Sequence, residues 1–369
     1  MAVTPAGATR KEPRPKVRSR KGGAAVPLDD ADKQLMNLLQ SSFPLDPEPF
    51  ASVARAAEMP LAEVKSRTQR LLDERIIREI TPIFDTRALG YASMLVAAKV
   101  DTENPHRAAR IINSHPGVSH NYLRTHEFNL WFTIATPPDS KLGLEGTLEV
   151  LQAETGAESI RQLPTLTLFK INMNLEMEQG TDALAAPVDA APPRELERQP
   201  YDEVDIAVIR ALQGPMAVVD RPYDAAAREA GMNEEELLAN LEGMVERKLL
   251  RRVAAILFHR RAGFSANGMG VWRVPEDQVL EVGRRMAAVR GISHCYQRPT
   301  YPDWPYSVFT MAHGRSKDEC DAILDRIAAD HDLHGEDRAV LYSSTEFKKI
   351  RLHYFTDDYA AWEREHASV

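Results

Sequence analysis

Apolar residues recur along this chain with two different periods, and the alternation between those periods occurs twice. After Asp29-Asp30-Ala31-Asp32, where Asp30 or Asp32 is placed to cap a helix, Leu35, Met36, Leu38 and Leu39 fit a 3.6-residue period. A second helical pattern covers roughly 50–57, and a third follows Met59-Pro60 with Val64, Leu71 and Leu72 on one side. Ile76-Ile77-Arg78-Glu79-Ile80 then reads as a strand of a winged helix-turn-helix. Beyond it the pattern predicts a strand over 91–100, a helix over 105–114, strands over 118–126 and 129–135, a helix over 142–155 and a strand over 159–172. This order is βαββαβ, the ferredoxin-like arrangement, which covers one face of its sheet with helices.

The whole series returns about 173 residues later. Asp32 corresponds to Asp205, Phe50 to Tyr223, Met59 to Met232, Leu71 to Met244, Arg78 to Arg251 and Gly90 to Gly263. The offset drifts to 174 at His120 and His294 and to 177 at the shared Phe-Thr pair of Phe132 and Phe309, as small loop insertions after a duplication would produce. The predicted fold is therefore α+β, a tandem repeat of winged helix-turn-helix and ferredoxin-like domains. The expected divisions are a basic tail (1–27), helix-turn-helix (28–85), ferredoxin-like domain (86–179) and an Ala/Pro-rich acidic linker (180–200). A second helix-turn-helix (201–258), a second ferredoxin-like domain (259–356) and a C-terminal tail (357–369) follow. Each sheet leaves one face uncovered, so the halves are expected to pair through their sheets, with a cavity between or beside them. A homodimer of the whole chain is compatible with that arrangement.

Composition narrows the function classes. A net charge of −8 argues against a dedicated nucleic-acid binder. Lys65, Arg67 and Arg70 on the third helical pattern suit phosphate contacts, but the corresponding helix of the second repeat opens Asn233-Glu234-Glu235-Glu236, which repels phosphate. Cys295 and Cys320 have no CxxC spacing, which fits a reducing compartment, and no apolar run is long enough to span a bilayer. A cytoplasmic location is expected. Neither a GxGxxG motif nor a cysteine array points to a bound cofactor.

The chemistry concentrates in one strand of each half. His120-Asn121-Tyr122-Leu123-Arg124-Thr125-His126 returns as His294-Cys295-Tyr296-Gln297-Arg298. Alternate strand residues share a face, which places His120, Tyr122, Arg124 and His126 together, and His294, Tyr296 and Arg298 together. A single histidine is more often a structural donor, but a co-facial His/Tyr/Arg set found twice reads as a site. Arg298, with Arg251-Arg252 and His259-Arg260-Arg261, suggests a pocket for a ligand bearing several carboxylates. The competing reading makes Arg251 and Arg252 decorations of a strand edge. Tyr301-Pro302-Asp303-Trp304-Pro305-Tyr306 reads either as a rigid aromatic loop that stacks on a planar ligand through Trp304, or as an ordinary connection with core aromatics.

These motifs carry a family resemblance over essentially residues 28–355. Gly117-Val118-Ser119-His120-Asn121-Tyr122-Leu123-Arg124-Thr125-His126, with Asn129-Leu130-Trp131-Phe132-Thr133, resembles one subunit type of the siroheme decarboxylases. Arg251-Arg252, Ala262-Gly263-Phe264-Ser265-Ala266-Asn267, Trp272, Ser293-His294-Cys295-Tyr296-Gln297-Arg298-Pro299 and the Tyr301 to Tyr306 loop resemble the companion type. The resemblance implies an Lrp/AsnC-like scaffold, fusion of two partners into one chain, and loss of carbon dioxide from two acetate side chains of siroheme. The product would be didecarboxysiroheme, serving haem or haem d1 synthesis. On this reading His120, His126 and His294 include the proton donor and any ligand to the substrate's iron. Arg124, His259, Arg260, Arg261 and Arg298 meet carboxylates, Tyr122 and Tyr296 orient them, and Trp304 stacks on the macrocycle. No metal or cofactor beyond the iron of the substrate is implied. The alternative is a ligand-responsive regulator of the Lrp/AsnC type.

Overall fold

The computed structural model describes residues 28–171, 198–258, 266–314 and 316–366. The first half runs α1 (Asp30–Ser41), α2 (Pro49–Ala57), α3 (Leu61–Asp73), β1 (Ile77–Phe84), β2 (Ala92–Lys99) and α4 (Pro105–Ser114). It continues with β3 (Val118–Arg124), β4 (Leu130–Thr136), α5 (Gly143–Thr155), β5 (Ser159–Leu163) and β6 (Thr167–Ile171). The second half opens with α6 (Glu203–Ala211), α7 (Tyr223–Glu229), α8 (Glu234–Glu246), β7 (Leu250–Leu257), β8 (Ala266–Trp272) and α9 (Val279–Ala288). It closes with β9 (Ile292–Gln297), β10 (Val308–Gly314), α10 (Lys317–His331), β11 (Arg338–Lys349) and α11 (Asp358–His366). The last of these falls within the segment read as a tail. The basic N-terminal tail and nearly all of the linker lie outside the described residues.

The cap of α1 is Asp29 rather than Asp30 or Asp32. Asp29 accepts from the Asp32 amide at 2.7 Å while the Asp32 carboxylate reaches back to the Asp29 amide, and Asp202 and Asp205 repeat this box on α6. Asp32 and Asp205 are buried, and each is neutralised from the third helix of its own half. Arg67 and Arg70 meet Asp32 at 2.9 and 2.5 Å, and Arg247 meets Asp205 at 2.6 Å. Arg67 also pairs with Asp29 and Glu63, Arg70 with Glu74, and Lys65 with Asp220 of the other half. The cations that looked available for phosphate are thus all engaged within the protein. The two helical units share one apolar core, into which Leu35, Leu39, Leu71, Tyr223, Leu241 and Met244 are all buried.

Among the described residues, no wing forms within either half. β1 instead pairs antiparallel with β7, its counterpart 173 residues on, in a two-stranded sheet that joins the halves. The other strands form a nine-stranded sheet in the order β5-β2-β4-β3-β11-β8-β10-β9-β6. Two strands cross between halves. β11 pairs with β8 of its own half through Tyr342 and with β3 of the first half from Ser343 onward. The predicted strand over 159–172 breaks between Leu163 and Thr167, where Pro164 lacks a ladder donor, so β5 pairs with β2 of its own half and β6 with β9 of the second. Phe169 of β6 settles on α9 against Gly283, where a Cβ would lie 2.3 Å from the ring. Phe128 and Trp131 of the first half pack with Met269, Trp304 and Phe309 of the second in one buried cluster.

Candidate functional site

On β3 the pleat sends Asn121 toward the helices, where its amide donates to Asn113 at 3.0 Å and faces the carbonyl of Ala109. His120, Tyr122 and Arg124 take the other face, as predicted. A β-bulge between Val118 and His120 makes Ser119 the extra residue and turns its hydroxyl alongside the neighbouring imidazole. Ser119 Oγ lies 3.0 Å from His120 Nδ1 and 2.7 Å from Thr133 Oγ1. Burial lowers the basicity of His120, and the positive charges of Lys349 and Arg78 lower it further against the opposing effect of Glu346. The imidazole is therefore neutral at neutral pH, with Nδ1 committed to the serine. Arg124 spans the sheets: its guanidinium lies 5.8 Å from the Trp131 ring and 5.9 Å from that of Tyr122, and Nη1 donates to the Leu341 carbonyl at 3.0 Å. Leu341 lies just before β11 crosses to the first half.

β9 repeats the plan. A bulge opposite Met311 and Ala312 makes Ser293 the extra residue, and its Oγ lies 2.6 Å from His294 Nδ1. Arg298 lies over the Tyr296 ring at 4.9 Å and the Phe309 ring at 5.4 Å, and donates through Nη1 to the Leu163 carbonyl, where β5 ends and the chain crosses to β6. Each arginine thus holds the departing strand of the opposite half. Burial lowers both guanidinium groups to about 10. Neither pairs with a carboxylate among the described residues, and both Nε atoms lack a partner. A half-buried cation without a counter-ion is a costly arrangement that an anionic ligand would relieve. Burial, with the charge of His313, lowers His294 to about 4, and burial raises Tyr296 to about 12.

Not every predicted residue joins these sets. His126 lies past the end of β3, so it does not share the face of His120. Its Nδ1 accepts from the Phe128 amide at 3.0 Å, and its ring meets Trp304 of the other half at 5.3 Å. Trp304 is 0% exposed and packs against Phe128, Trp131, Tyr306 and Phe309, so it is core and presents no stacking surface. Its loop is pinned to β5 by Asp303, which accepts from Arg161 at 2.8 Å, and by Tyr301, whose hydroxyl donates to the Gln162 carbonyl at 2.6 Å. Arg251 is engaged by Asp85 at 2.6 Å. His259, Arg260 and Arg261 lie outside the described residues.

Sequence reasoning passed over Ser119, Ser293 and His313. The repeated Ser-His dipeptides were a legible signal for the serines. His313 carried none, because its place beside Ser293 depends on the register of β9 against β10. There Nε2 lies 2.5 Å from Ser293 Oγ and Nδ1 lies 2.7 Å from Asn267 Oδ1.

Comparisons with known proteins agree with this architecture. The AsnC-like ligand binding domain matches residues 88–170 and 261–348, and the siroheme decarboxylase NirDL-like HTH domain matches 32–78 and 205–251. A siroheme decarboxylase of Hydrogenobacter thermophilus is 37% identical over 332 residues, covering 90% of this chain and 97% of that protein. The siroheme decarboxylase beta subunit of Methanosarcina barkeri is 36% identical over 153 residues, which are 41% of this chain but 99% of that subunit. A crystal structure of the siroheme decarboxylase NirDL in co-complex with an iron-uroporphyrin III analogue superposes with a TM-score of 0.73 at 33% identity, covering 92% of this chain and 99% of that one.

Proposed function

The chain belongs to the siroheme decarboxylase family, and from that premise we propose that it is a carboxy-lyase that removes two acetate carboxylates from siroheme to give didecarboxysiroheme. The observation that carries the residue assignment is the pair of half-buried guanidinium groups, Arg124 and Arg298, neither ion-paired among the described residues. A substrate with many carboxylates supplies the missing anions, and arginine meets each with two parallel donors. The iron-uroporphyrin analogue held by the related NirDL structure is a macrocycle of this chemical type.

In this mechanism Arg124 and Arg298 fix the orientation of the macrocycle, and the hydroxyls of Tyr122 and Tyr296 assist them. His120, flanked by Lys349 and Arg78, holds a further carboxylate. His294 supplies the proton. The bond between the side-chain methylene and its carboxylate breaks, carbon dioxide leaves, and the electron pair remains on the carbon, delocalised into the macrocycle. A C–H bond then forms with the proton from His294 Nε2, leaving a methyl group. Nothing is oxidised or reduced overall, so the reaction needs no cofactor of the protein's own, and the iron arrives with the substrate.

The helix-turn-helix units serve as scaffold in this reading and do not read DNA, because Lys65, Arg67 and Arg70 are all ion-paired internally. The test is anaerobic incubation of purified protein with siroheme. Two carbon dioxide per macrocycle are expected. Siroheme recovered unchanged, together with a salt-sensitive electrophoretic shift on DNA, would replace the enzyme with a regulator.

A further inference from the structure

The neutral imidazole of His294 poses a problem for its assigned task. If it gives up its Nε2 proton and receives nothing in return, an imidazolate is left, which is prohibitively basic near neutral pH. A proton must arrive at Nδ1 as the other leaves. That nitrogen is held by Ser293, the bulged residue of β9, at 2.6 Å. The same hydroxyl lies 2.5 Å from Nε2 of His313 on β10, and His313 Nδ1 is anchored on Asn267 Oδ1 of β8 at 2.7 Å.

We infer that His313 and Ser293 form a proton relay that recharges His294 during decarboxylation. This inference rests on the decarboxylase reading and extends it to two residues that touch no substrate atom. The direction follows from the donors. The Asn267 carbonyl oxygen accepts from His313 Nδ1, so that nitrogen stays protonated and the mobile proton sits on Nε2. When solvent protonates His313, Nε2–H donates to Ser293 Oγ, the serine hydroxyl donates to His294 Nδ1, and His294 carries its proton on Nε2. Transfer to the substrate carbon then moves three protons in concert: Nε2 of His294 to carbon, Oγ to Nδ1, and His313 Nε2 to Oγ. His313 returns to its neutral form and His294 is left protonated on Nδ1. A proton from water then enters at the vacated His294 Nε2, and the Nδ1 proton passes back through Oγ to His313 Nε2, which restores the starting state. Between turnovers the serine hydroxyl has a second acceptor, the Met311 carbonyl at 3.4 Å.

The first half shows what the relay is not. There the bulged Ser119 leads from His120 to Thr133, whose hydroxyl has no acid to pass on. The relay therefore assigns protonation to the second half.

The experiment compares wild type with Ser293→Ala, Ser293→Thr and His313→Ala, scoring carbon dioxide release and, separately, siroheme affinity from its absorption. Ser293→Ala and His313→Ala are expected to lower kcat roughly 10- to 100-fold, less than the roughly 10²- to 10⁴-fold of a group that hands its proton directly to the substrate, with the dissociation constant for siroheme held within about twofold. Ser293→Thr keeps the hydroxyl and should recover most of the rate, and added imidazole should restore His313→Ala. Wild-type kcat in Ser293→Ala overturns the relay. So does a loss of rate matched by a loss of affinity or of thermal midpoint that neither threonine nor imidazole repairs. A wild-type protein that binds siroheme and releases no carbon dioxide overturns the decarboxylase reading itself, an outcome that only the wild-type arm can give.

Discussion

β3 and β9 carry the same backbone device and end in different chemistry. Both place a bulged serine beside a half-buried imidazole, and both send an arginine to a backbone carbonyl of the opposite half. Around His120 stand Lys349 and Arg78, fixed charges that favour an anion. Around His294 stands His313, a group able to change its charge. On the proposed function, duplication kept the arginines that position a ligand while the surroundings of the imidazole diverged, from holding charge in one copy to moving protons in the other.

The sharpest way to break that contrast is to truncate the two histidines separately. His294→Ala is expected to lower kcat by about 10²- to 10⁴-fold, the usual contribution of a positioned acid. His120→Ala should act mainly on KM, by roughly tenfold. Steady-state kinetics that gave equal kcat losses would make the two copies equivalent. Next in size, Arg124→Lys and Arg298→Lys both keep a charge but lose the fork that can grip a carboxylate and a carbonyl together. Each should raise KM by about 10- to 100-fold, and lysine variants with wild-type KM would remove the clamp assignment.

Two smaller effects probe packing. Gly283 on α9 stands where the first half has Ala109, and Phe169 fills the space the missing Cβ leaves. Gly283→Ala should cost about 1–3 kcal/mol in thermal or denaturant unfolding, as overpacking does, whereas Ala109→Gly should show only the modest loss expected of a helical glycine. His115, replaced by Val289 in the second half, is buried against Trp362, and burial lowers it to about 3. Its unfolded form takes up a proton below about 6.5, while the folded form resists until about 3. Stability should therefore fall as pH drops through that window, by up to about 1.4 kcal/mol per pH unit, with no effect at neutral pH. Thermal midpoints of His115→Val should vary less with pH than those of wild type.

Much of this was legible in the residues. Periodicity and the offset of 173 located every helix of both halves except α11, which continues past the last repeated strand. Alternation on β3 and β9 identified the His/Tyr/Arg face. What escaped depends on partners distant in sequence. The strand over 77–84 looked like half of a wing because nothing local says that its partner is Leu250–Leu257. His126 seemed co-facial because the end of a strand is set by ladder hydrogen bonds that side-chain pattern does not encode. For Trp304 the residues left a stacking platform and a core aromatic equally open, because only the fold shows that the loop turns back across β5 and buries the ring. Bulges are the hardest case: one extra residue leaves composition unchanged and redirects a hydroxyl.

The crossing of β11 bears on how the chain comes into being. β3 needs residues 343–349 to cover its free edge, and the first of these is synthesised 219 residues after β3 ends at Arg124 (343 − 124). Until then the N-terminal half waits with unpaired amides and carbonyls beside its histidine and arginine, a template on which nascent chains can misassociate. Maturation of that half thus waits on the second half, and truncation before residue 343 would deprive the β3 copy of the motif of its edge partner while removing none of its residues.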